Sequence, residues 1–324
     1  MTALSEILRQ PSRDQHCIAL CEGEDPRVIE AAAQVAQAGM ARLILVGDER
    51  IIAPELAKHG QHPSNALQIK NPLRDHFDEL ATLFYDLRKH KGISEAQAAE
   101  AIKSAPNYAA LLVKSGMAHG TVGGAVHTTG DIVRAALSII GKAKTAKIVS
   151  SYFLMASDTI NLFSDCGLVI DPSAEELAHI AISSAQSFRD ITGQSANVAM
   201  LSFSTLGSAK HPKVDKVLEA LQIAHTLDPE CNISGELQFD AAFDRSVAAK
   251  KAASDPVAGR ANVFIFPDLN AGNIGYKIAQ RIGGMQAIGP VLQGLAMPAN
   301  DLSRGCSTED VVDMIGVTLR QAGA

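Results

Sequence analysis

The stretch NDLSRGCSTEDVVDM, near the end of the chain, gathers residue types suited to stabilising and discharging an oxyanion. Asp301, Ser303 and Arg304 crowd before a glycine, and Asp310 follows. An arginine beside a hydroxyl can hold negative charge on an oxygen while a carboxylate removes a proton. The same spacing has a structural reading, because Ser307 to Asp310 matches a helix capping box. The local residues leave both open. Three more loops have anion-binding composition. SFSTLGSAK offers Ser202, Ser204, Thr205, Ser208 and Lys210, and PDLNAGNIGYK offers Asn270, Gly272, Asn273, Gly275 and Lys277. HTTGDIVR offers Thr128, Thr129 and Arg134. Hydroxyls, glycines that let backbone N–H groups approach, and single cations suit a phosphate. Each loop also has a plainer reading: a polar strand-to-helix connection, a tight glycine turn, or an Asp131–Arg134 pair at helical spacing. Neither a Walker A sequence nor GxGxxG is present, which weakens nucleoside-triphosphate and dinucleotide readings.

Composition narrows the field. With 324 residues the chain suits one large or two medium domains. Its 47% hydrophobic content excludes a disordered chain, and 4% aromatics with a net charge of −6 disfavour a nucleic-acid binder. The five cysteines include no CxxC, and the ten histidines fall in no zinc-type spacing, so no metal site is expected and the thiols are expected reduced. No secretory signal is recognisable at MTALSEILRQ, and runs such as LILVG are too short to span a bilayer. A cytoplasmic protein without membrane contact is expected.

Alternating strand and helix signals must position these loops. CIALCEGEDPRVIEAAAQVAQAGMARLILVGD reads as strand, loop, helix, strand, with Asp25 as N-cap and Pro26 at the first helical position. A helix over RDHFDELATLFYDLRKHKG carries Phe77, Leu80, Phe84 and Leu87 on one face, and Gly92 ends it. The Gly/Thr-rich segment before HTTGD leads into a helix near Asp131. KIVSSYFLMA, VAMLSFST and ANVFIFPD read as strands. DPSAEELAHIAISSAQSFRD reads as a helix capped by Asp171, LNAGNIGYKIAQR as a glycine-containing turn into a helix, and residues from about Ser307 to Gln321 as the last helix. This alternation predicts an α/β protein with parallel sheets covered on both faces. A boundary is placed near 141–147.

Long motifs then point further. LCEGEDPRVIEAA and YDLRKHKG precede, in order, AMLSFSTLGSAK, SGELQFDAA, ANVFIFPDLNAGNIGYKIAQR, AIGPVLQGL and PANDLSRGCSTEDVV. Together they resemble the phosphate acetyltransferase (phosphotransacetylase) family, most densely from Val198 to Asp313. The resemblance implies acetyl-CoA + phosphate ⇌ acetyl phosphate + CoA. It also implies two three-layer αβα domains (1–146 plus 297–324, and 147–296), an isocitrate/isopropylmalate-dehydrogenase-like fold, a cleft between the domains and a homodimer. By the same resemblance Ser303 and Arg304 stabilise the transition state, Asp310 is the base for the CoA thiol, and Arg88 and Arg134 bind substrate. The family usually has Asp-Gly at His119–Gly120 and Arg-Pro at Arg134–Ala135. CoA and acetyl-CoA would be substrates, with no resident cofactor. The rival functions are propanoyl or butanoyl transfer, a non-catalytic acyl-CoA sensor, and a metal- and NAD-dependent decarboxylating dehydrogenase. The clustered aspartates of the last are not apparent.

Overall fold

The computed structural model describes residues 3–11 and 16–323. The chain divides into two compact units, one of Ser5–Lys144 with Leu295–Ala324 and one built on Thr145–Gly294. Strands β1 (Cys17–Leu20), β2 (Arg42–Val46), β3 (Leu67–Lys70) and β4 (Gly120–Gly123) belong to the first unit. The second contains β5 (Ser150–Ala156), β6 (Ile160–Ser164), β7 (Val198–Leu201), β8 (Ile233–Leu237), β9 (Val263–Ile265) and β10 (Gln286–Gln293). Strand β11 (Ala299–Asp301) returns to the first sheet, beside β4.

Among the described residues the first sheet has the order β11-β4-β1-β2-β3, and every neighbouring pair is parallel. Helices Pro26–Gln37 and Thr308–Gln321 pack together on one face; Phe77–Arg88, Ala105–Lys114 and Thr129–Ala135 form a separate group on the other. The second sheet, β10-β5-β6-β9-β7-β8, is mixed. Its β6–β9–β7–β8 part is parallel, whereas β10 and β5, and β5 and β6, run antiparallel. Residues 157–159 alone join β5 to β6, too short a link for a parallel crossover. The expectation of wholly parallel sheets is corrected there.

Several local expectations shift. Strand β4 lies inside the segment that read as Gly/Thr-rich loop. Its glycines are required by packing: a Cβ on Gly120 would meet Thr318 at 2.6 Å, and one on Gly123 would meet Cys21 at 2.6 Å. The long helix starts at Ala174, not at Pro172. Ser173 accepts from the Glu176 N–H while the Glu176 carboxylate accepts from the Ser173 N–H, and Asp171 instead pairs with Lys216. Leu269–Arg281 is one helix from its first residue, capped by Asp268, so the glycines of LNAGNIG are helical. Gly272 sits where a Cβ would be 2.2 Å from the Asp165 carbonyl oxygen.

Candidate active site

Because the first sheet is parallel throughout, the loops after β1, β4 and β11 emerge at one edge, the place where such sheets bind ligands. They are held there by three ionisable side chains. The first is Glu22, just past β1, with its side chain 4% exposed. Both its carboxylate oxygens face the Gly124 N–H, at 2.9 and 3.0 Å, and Oε1 also accepts from the His127 N–H at 3.1 Å. His127 Nδ1 lies 3.0 Å from Oε1. The loop after β4 is thus wound around an internal anion.

The second is Arg27, in the first turn of Pro26–Gln37. Its Nη1 donates to the carbonyls of Arg304 and Cys306 at 2.8 and 2.9 Å. Its Nη2 donates to the Ala125 carbonyl at 2.9 Å and to Asp25 Oδ2 at 2.8 Å. One guanidinium therefore ties the 303–306 turn to the β4 loop and to its own helix cap. The same bond holds the Asp25 carboxyl below its usual range.

The third is Asp301, at the end of β11 and fully buried. Thr129 Oγ1 donates to Oδ2 at 2.6 Å, while Oδ1 has no hydrogen-bond partner among the described residues. Burial above all, with the Glu22 charge adding to it, pushes this carboxyl up to about 7 against the opposing Thr129 bond.

On this base the Ser303–Cys306 turn projects outward. The Ser303 carbonyl accepts from the Cys306 N–H at 2.9 Å, and its hydroxyl accepts from the Gly305 N–H at 3.3 Å. Ser303 and Arg304 are exposed, and the Arg304 guanidinium forms no ion pair among the described residues. Asp310, in the first turn of Thr308–Gln321, realises the capping box: Oδ2 accepts from Ser307 N and Oγ, each at 2.9 Å. Thr128 caps Thr129–Ala135, and Arg134 pairs with Asp131 at 3.0 Å, its side chain 75% exposed. Arg88 ends Phe77–Arg88, half-buried, and makes no hydrogen bond to the 303–306 turn. His119 stands at the opposite end of β4: its Nδ1 accepts from the Cys17 N–H at 3.1 Å, so that departure from the family pattern lies away from the loops. A cavity of about 590 Å³ opens beside the ends of β1 to β3, between Glu22, Val46, Ile51, Leu73 and Val126.

In the second unit SFSTLGSAK does collect around an anion, but the anion is the chain's own. Glu236, buried in β8, accepts from Ser204 Oγ at 2.7 Å and from the Gly207 N–H at 2.8 Å through Oε1. The Thr205 hydroxyl takes the Gln238 N–H at 3.0 Å, and Ser208 Oγ takes the Thr205 N–H at 3.0 Å. Ser204 and Thr205 are buried, whereas Ser208 and Lys210 are exposed. Asn273 donates to the Cys166 carbonyl at 3.0 Å, so with Gly272 it serves helix packing. Asn270 and Lys277 are exposed, and the Lys277 ammonium sits 5.8 Å from the Tyr276 ring centre.

Comparison with known proteins shows the family of the chain. The family described as phosphate acetyl/butaryl transferase matches residues 2–319. Phosphate acetyltransferases from Thermoanaerobacterium thermosaccharolyticum and Paracoccus denitrificans are 47% and 48% identical, over 99% and 95% of this chain and 100% and 95% of theirs. The crystal structure of a phosphotransacetylase from Streptococcus pyogenes superposes with a TM-score of 0.91 at 43% identity, covering 98% of this chain and 96% of that one. The chain belongs to the phosphate acetyl/butaryl transferase family. It is therefore an enzyme of the acyltransferase class.

In LCEGEDPR the sequence alone does not announce the roles of Glu22 and Arg27. The available signal was a charged residue directly after an apolar strand and an arginine just inside a capped helix. Arg27→Ala is expected to lower turnover about a hundredfold, because displacing the Arg304 turn by ~1 Å suffices for that. Steady-state kinetics beside circular dichroism checks it, and unchanged kcat in a folded variant would remove Arg27 from the site.

Proposed function

We propose that the chain catalyses acetyl-CoA + phosphate ⇌ acetyl phosphate + CoA. The observation that carries this reading is the exposed Ser303–Arg304 turn, fixed from beneath by Arg27 in a chain of this family. In the thioester-forming direction Asp310 accepts the thiol proton of CoA, and the thiolate sulfur attacks the carbonyl carbon of acetyl phosphate. Arg304 and Ser303 stabilise the negative carbonyl oxygen. As it re-forms the double bond, the carbon–oxygen bond to phosphate breaks and phosphate departs with the electron pair. Both acyl donors are activated, so the transfer is proposed to need no resident cofactor.

Direct transfer is favoured over an acyl-cysteine. Burial pushes the thiols of Cys166 and Cys306 up, away from the nucleophilic thiolate. Exposed side chains support substrate-binding roles for Thr128 and Arg134 in one unit and for Ser208, Lys210, Asn270 and Lys277 in the other, and the half-buried Arg88 is assigned a binding role by the family resemblance. Five free, buried cysteines support a reducing, cytoplasmic location, and among the described residues no helix is long and apolar enough to cross a membrane. A homodimer is supported by Ile274 and Ile278, exposed at helical spacing along Leu269–Arg281, and by Ile282, exposed at its C-cap. Sedimentation at the monomer mass would sink the dimer.

Thiol release from acetyl-, propanoyl- and butanoyl-CoA, with and without phosphate, tests the activity. Phosphate-dependent release that is fastest with acetyl-CoA is expected; silence with all three favours a sensor. Arg304→Ala is expected to lose about a hundredfold in kcat, near 3 kcal/mol of transition-state stabilisation. Asp310→Asn separates base from cap. A lowered melting temperature with unchanged kcat would leave Asp310 only its helix-starting role.

A further inference from the structure

Asp301 differs from the other buried carboxylates of the first unit. Glu22 is surrounded by N–H donors, whereas Asp301 is met by the Thr129 hydroxyl and, more weakly, by the Leu302 N–H, and its Oδ1 has no hydrogen-bond partner of good geometry among the described residues. That oxygen faces peptide backbone. A Cβ on Gly124, where φ is +107°, would stand 2.3 Å from Oδ1 and 2.7 Å from the Leu302 nitrogen. The titratable groups that act on Asp301 are Glu22 and Cys21, both at the end of β1. Neighbouring β4 presents the uncharged Gly123. Helix Thr129–Ala135 presents Thr129, while its Asp131 and Arg134 pair with each other at the surface. Helix Thr308–Gln321 directs Asp310 to Ser307 and Asp313 to Ser5 and Arg9. No cation pairs with Asp301 among the described residues.

We propose that Asp301 is a positioning residue held as the neutral carboxylic acid, and that it locks the 124–129 loop to the turn carrying Ser303 and Arg304. The lock acts through one strand end: Asp301 receives the Thr129 hydroxyl, and the next residue, Leu302, donates its N–H to the Gly123 carbonyl at 2.7 Å. A neutral acid leaves one negative charge, on Glu22, where the donors are. Ionising both would place two like charges in a site lacking a counter-ion. The rise to about 7 agrees with this below neutral pH, where most copies carry the proton. The catalytic part of the proposal rests on the function proposed above.

The state of Asp301 and its effect on turnover are separable. Between the ordinary carboxylate range and about 7, the native protein holds a proton that the unfolded chain has released. The contribution of this site to stability therefore falls as pH rises through that window and is level above it. Asp301→Asn cannot ionise and keeps an acceptor for Thr129. Its melting temperature relative to the parent is expected to climb from pH 5 to 7 and then level off. Its kcat should stay within about threefold of the parent, while Asp301→Ala falls about a hundredfold with both folded. Parallel melting curves for parent and Asp301→Asn would overturn the neutral state. Equal losses of kcat in Asn and Ala variants would overturn the lock. A parent that releases no CoA on addition of phosphate would refute the catalytic reading alone, because the melting series still decides the state of Asp301.

Discussion

Buried carboxylates acting as internal anions are the interaction on which the loop architecture depends. A chain leaving a strand end carries N–H groups with no ladder partner, and buried N–H groups require acceptors. Glu22 satisfies the loop after β4, and Glu236 the loop after β7. Asp165 accepts from the N–H groups of Ser151, Gly167, Leu168 and Val169 and from the Ser151 hydroxyl. Each charge-assisted bond contributes about 1.5–3 kcal/mol, and several together offset the cost of taking a carboxylate out of water. Asp301 lacks such a set of donors, and its displaced titration follows from that.

This arrangement separates shaping from recognition. The anions that shape the loops lie inside, while Arg304, Arg134, Lys210 and Lys277 extend from the surface. A net charge of −6 is therefore a poor guide to what a ligand meets. Arg27 differs from these four: its side chain donates to main-chain carbonyls, so it supplies rigidity to the turn while Arg304 remains outside.

Local chemistry was well legible in the sequence. The helix caps at Asp25 and Ser307, the Asp131–Arg134 pair and the strands at 17, 42, 150, 198 and 263 all follow from residues within a turn or two of each other. Partnerships distant along the chain were not. SFSTLGSAK has the composition of an anion-binding loop, and it does close on a carboxylate, but Glu236 lies in another strand and nothing local announces it. Glu22 and Arg27 likewise act on residues about a hundred or more positions away. Gly272 read as a turn glycine because composition cannot distinguish a need for positive φ from a need for contact with the Asp165 carbonyl. The capping box at Ser307 shows the converse: its spacing is local, and the hydrogen bonds from Ser307 to Asp310 are the ones that spacing announces.

The Thr129–Asp301 bond has a bearing on how this scaffold can be altered. Loops that share a hydroxyl–carboxyl contact and one bridging guanidinium cannot be exchanged one at a time between relatives of different acyl preference. A graft of 301–307 alone would leave Thr129 facing a foreign side chain, and a graft of 124–129 alone would put at risk the Thr129 hydroxyl that Asp301 receives and the His127 imidazole contact of Glu22. The transferable cassette is the pair of segments together with Glu22 and Arg27, which makes recombination across four short stretches of sequence the smallest change that preserves the geometry.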